Sequence, residues 1–124
     1  MAKYRVLVLE RGRVPDRDAR FVSVSVDPDG EYLGQFETQI SGLEMMIYER
    51  LKPVTRAQLW SLAAMEMGRA LQRQAEEGTL RKEWKLDIEM IPIDFDGLLG
   101  RASQQLRPVP DFAEGIVVKE FTAP

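Results

Sequence analysis

The chain has 124 residues with 17 basic and 20 acidic side chains, and it contains neither histidine nor cysteine. That inventory excludes Ser-His-Asp and Cys-His catalysis, zinc fingers, iron–sulfur clusters and disulfides. Carboxylate, Lys, Arg, Tyr, Ser and Thr chemistry remains, and any bound metal would need oxygen ligands, as Mg²⁺, Mn²⁺ and Ca²⁺ do.

This length predicts one domain spanning residues 1–124. Glu10 interrupts the first apolar run, which leaves it too short for a signal-peptide core, and the stretches Trp60 to Met65 and Met45 to Tyr48 are far short of a membrane span. The expectation is a soluble cytoplasmic protein with no membrane contact and no cofactor.

In chain order, Lys3 to Glu10 reads as a strand whose Val6 and Val8 alternate with Leu7 and Leu9, so both faces are apolar and a central position is expected. Arg11 to Arg20 is a polar loop. Phe21 to Val26 sets Val22, Val24 and Val26 against Phe21, Ser23 and Ser25, the period-two signature of a strand with one dry face. Asp27-Pro28-Asp29-Gly30 supplies a turn, and Tyr32 to Ile40 returns as the hairpin partner.

Ser41 and Glu44 form a capping box with Ile40 and Met45 as its hydrophobic staple, so a helix is predicted from Gly42 until just before Pro53. Thr55 and Gln58 repeat the box, Val54 and Leu59 the staple, and Gly78 supplies the stop. The long helix is thus expected over 56–77. At 100° per residue Leu59, Trp60, Ala63, Ala64, Met67, Ala70 and Leu71 share one apolar sector. Leu62 and Met65 fall instead among Glu66, Arg69, Gln72, Arg73 and Glu76.

From Glu83 the period returns to two, with Trp84, Leu86, Ile88 and Met90 on one face, and Pro92 ends the strand. Asp94 caps a short helix through Leu98, Leu99, Ala102 and Leu106 that stops before Pro108. Gly115 to Thr122 reads as the last strand. The order β-β-β-α-α-β-α-β predicts an α+β fold with a mixed or antiparallel five-stranded sheet and helices packed on it.

Charge is distributed in blocks: residues 1–20 carry +3, 21–50 carry −5, 51–85 carry +3 and 86–124 carry −4. Opposed patches favour a protein partner or self-association over generic polyanion binding. Arg11, Arg13 and Arg17 are the candidate phosphate contacts. Asp16 and Asp18 interleave with them, no aromatic ladder accompanies them and the domain is acidic, so a solvated loop is expected and nucleic acid is not the expected partner. Gly97-Leu98-Leu99-Gly100 matches neither nucleotide-binding glycine pattern.

A three-strand meander followed by helix, strand, helix and strand resembles the ribonuclease H-like fold. In that family acidic residues on the first strand, the first helix and the end of the fourth strand hold two Mg²⁺ ions. The resemblance implies a metal-dependent nuclease, or a nucleic-acid-binding accessory protein, built here on Asp94, Asp96, Glu66 and Glu10.

The leading expectation is different. Met46, Ile47, Tyr48 and Leu51, with Met45 on another side, make the short helix apolar nearly all round, and Leu62 and Met65 add to the surplus. Such a surplus exceeds what a monomer usually leaves in water. The chain is therefore expected to be a non-enzymatic module, homodimeric through helices 42–51 and 56–77, with Leu62, Met65, Met45 and Tyr48 at the contact.

Overall fold

The computed structural model describes residues 2–10, 19–26, 32–80, 88–104 and 115–123. The elements are β1 (Ala2–Glu10), β2 (Ala19–Val26), β3 (Tyr32–Gln39), α1 (Gly42–Arg50), α2 (Pro53–Glu77), β4 (Ile88–Met90), α3 (Phe95–Ala102) and β5 (Ile116–Ala123). The α+β class holds. The sheet order is β4-β3-β2-β1-β5.

Four long strands form the body of the sheet, and every pairing among them is antiparallel. The expectation of a mixed or antiparallel five-stranded sheet is met only in part: the sheet is four antiparallel strands, to which β4 adds no more than a three-residue strip paired parallel with β3. Trp84 and Leu86, on which the longer strand was expected, lie outside the described residues. So do the Asp27 to Gly30 turn and Leu106. As its doubly apolar sequence implies, β1 is internal, flanked by β2 and β5.

Register decides which face of each strand is dry. Val6 pairs with Ser25 and Leu7 with Val24. Tyr4, Val6, Val8 and Phe36 are buried in one cluster with side chains from all three helices, to which neither Leu7, Leu9, Val24 nor Val26 belongs. Ser25 of β2 therefore faces the helices and is fully buried. Alternation marked the two faces of β2 but carried no information about which one the helices cover.

The helix boundaries follow their caps. The expected box at α1 is present in full: Glu44 N donates to Ser41 Oγ at 3.2 Å and Ser41 N to Glu44 Oε1 at 2.8 Å. The expected box at α2 is not used. Pro53 starts that helix, Lys52 is its N-cap, and no side chain caps it. Proline has a helical φ and no N–H to satisfy, so the helix begins before Thr55 can cap it. Gly78, at φ 75°, closes the other end as expected.

Helix α2 packs on β5, β1 and β2 and against α3. The predicted sector from Leu59 to Leu71 is buried except for the half-buried Ala70. Asp94 caps α3 as expected, accepting from Gly97 N at 3.2 Å, but the helix ends at Ala102. No helix among the described residues is long and apolar enough to cross a membrane.

Candidate contact surface on the helical layer

Nine residues of α1 must satisfy two environments. Met45 and Tyr48 point inward and join the core. On the opposite side Leu43 is 68% exposed and Met46 53% exposed. These two are three residues apart, and Arg50 continues the same face one turn later. A helix with apolar side chains on both sides fits a position covered on both sides.

On α2 the expected surplus divides. Leu62 is only 6% exposed and belongs to the chain's own core, whereas Met65 is 44% exposed. Glu66, one turn beyond Leu62, lies 3.8 Å from Arg101 of α3. The helix that packs alongside α2 thus reaches the stripe where Leu62 lies, which the wheel had placed in solvent. Three of the four expected contact residues, Leu62, Met45 and Tyr48, are interior, and Met65 alone remains outside.

Tyr48 and Trp60 tie α1 to α2. Trp60 Nε1 donates to the Tyr48 hydroxyl, and the rings meet edge to face with centroids 5.1 Å apart. Arg56 adds its guanidinium 6.0 Å from the Tyr48 ring centroid. Beside this junction Tyr48, Pro53, Arg56, Ala57 and Trp60 line a surface hollow of about 300 Å³. In the sequence, Pro53 between the two helical patterns marks this elbow.

Of the four carboxylates of the ribonuclease H-like reading, Glu66, Asp94 and Asp96 are described, and they form no metal-holding group. Glu66 and Asp94 line one hollow of about 220 Å³ with Gly97, Leu98 and Arg101. Within it Glu66 is engaged by Arg69 at 2.7 Å as well as by Arg101, and Asp94 is spent on its cap. Asp96 is exposed on α3. The Glu10 side chain lies outside the described residues. Among the described residues no group of three or more Asp or Glu side chains could hold a metal ion. Arg11, Arg13 and Arg17 lie outside the described residues.

No protein-family model matches the chain, and no curated protein and no solved structure matches it either.

Proposed function

We propose that this protein is a non-enzymatic module that works by binding another polypeptide, a second copy of itself in the first instance, through the helical layer. The observation that supports the reading is the outer face of α1, where Leu43 and Met46 stand in solvent behind an inner face that is already fully used. Met65 is the exposed apolar residue on α2 that the contact would enlist. The contact is smaller than the sequence implied, because Leu62, Met45 and Tyr48 are spent on the interior.

A contact of this size belongs to the weak class, with a Kd on the order of micromolar. Sedimentation velocity on the full chain across that range tests it, with the Leu43→Glu/Met46→Glu double variant as comparison. The expected result is a concentration-dependent dimer that the double variant abolishes while remaining folded. A wild-type chain that stays monomeric up to about 100 µM overturns the homodimer.

A further inference from the structure

We infer that the elbow between α1 and α2 is a docking site for an acidic, apolar segment of a partner protein, because it sets a hollow beside Pro53 and the exposed Val54 next to two cations, Lys52 and Arg56, at the start of α2. This site is separate from the outer face of α1 and does not depend on the homodimer reading.

Tyr48, Pro53, Ala57 and Trp60 line the hollow of about 300 Å³ together with Arg56; the two aromatic side chains are almost wholly buried, so its exposed apolar surface comes chiefly from Pro53. Val54, 47% exposed, stands in the same first turn as Pro53 and offers apolar surface outside the hollow. Tyr48 and Trp60 are held in place by their mutual hydrogen bond and edge contact, so these walls are preorganised.

The charge beside the hollow is mainly positive: Lys52 and Arg56 stand at the start of α2 against Glu49 near the end of α1, in a chain whose net charge is −3. Arg56 lines the hollow itself, and Lys52 is exposed at the N-cap of α2. The 25-residue helix that begins there has no acidic residue in its first turn and no side-chain cap. Its leading N–H groups lack intrahelical acceptors, so the helix terminus adds positive potential to that of the side chains. A carboxylate beside a leucine or phenylalanine satisfies both parts at once. A basic segment would meet like charges at Lys52 and Arg56, and a purely apolar one would make no use of them.

The test uses the full chain and fluorescence anisotropy with labelled peptides of about a dozen residues. One peptide alternates glutamate with leucine and phenylalanine, and its control carries glutamine at every glutamate. The acidic peptide is expected to bind at least about tenfold more tightly than the control, with affinity falling as salt rises. Lys52→Gln and Arg56→Gln should each weaken it severalfold. Lys52 is exposed, so its variant decides the matter if loss of the Arg56 contact with Tyr48 disturbs folding. Equal binding of the two peptides, an affinity unchanged by Lys52→Gln, or no binding at about 100 µM overturns the proposal. So does a self-association that Lys52→Gln abolishes and the acidic peptide fails to compete, since a second copy would then be the occupant.

Discussion

Trp60 Nε1 donates its proton to the hydroxyl of Tyr48, joining the two central helices through a pair of side chains that are almost wholly buried. The bond and the edge-to-face contact of the rings act on the same two residues, so their effects should be coupled.

Tyr48→Phe keeps the ring and removes the acceptor. Loss of a buried hydrogen bond is expected to destabilise the fold by about 1–3 kcal/mol, depending on what else the indole N–H can reach. Urea denaturation of Tyr48→Phe, Trp60→Phe and the double variant measures the coupling directly. The double variant should lose less than the two single changes together, and strict additivity would refute an energetic link between the helices at this point.

Lys52 occupies a cap position that suits a different residue. Lysine cannot accept from the first N–H groups of α2, and its charge opposes the positive end of the helix dipole. Lys52→Asp should therefore stabilise the fold by roughly 0.5–2 kcal/mol, read as a higher urea midpoint with unchanged slope. The same change should weaken the acidic peptide. Stabilisation purchased at the expense of binding would indicate that the poor cap is kept for the partner, whereas no stabilisation would show that the terminus is already satisfied.

Gly97 and Gly100 are both helical in α3 yet should respond oppositely to alanine. A Cβ on Gly97 would collide with Asp94 Oδ2, so the capping carboxylate would have to move. A Cβ on Gly100 meets nothing within 4 Å. Gly97→Ala is expected to cost about 1 kcal/mol through the cap, and Gly100→Ala to gain roughly 0.5–1 kcal/mol from helix propensity. Thermal unfolding of the two variants checks the pair, and a gain at both positions would show that the cap tolerates displacement.

Local chemistry made part of this fold legible before any coordinates. Ser41 with Glu44, Asp94 and Gly78 announce helix ends through groups that act within four residues, and the structure uses all of them. What escaped depends on distant partners. The pattern of β2 is symmetric under exchange of faces, and only pairing of Ser25 with the buried Val6 shows that Ser25 turns inward. The cap at α2 failed for a local reason, because Pro53 competes with Thr55 for the helix start and wins. The carboxylates Asp94, Asp96, Glu66 and Glu10 are grouped by element order alone, and of those described, Glu66 is engaged by Arg69 and Arg101 while Asp94 caps α3.

Leu62 and Met65 show the same limit on a single helix and supply its sharpest test. Both fall on the polar side of a wheel drawn for α2 alone, and only a neighbouring helix distinguishes them. Leu62→Ala should create a cavity in the core and cost about 2–5 kcal/mol. Met65→Ala removes a half-exposed side chain and should change the monomer's stability by less than about 0.5 kcal/mol. If the helical layer pairs two copies, Met65→Ala should instead weaken the dimer severalfold in sedimentation. Leu62→Asp should unfold the chain rather than merely dissociate it, since it would bury an unpaired charge. A folded, monomeric Leu62→Asp protein would place Leu62 at the surface and reverse the assignment of these two residues.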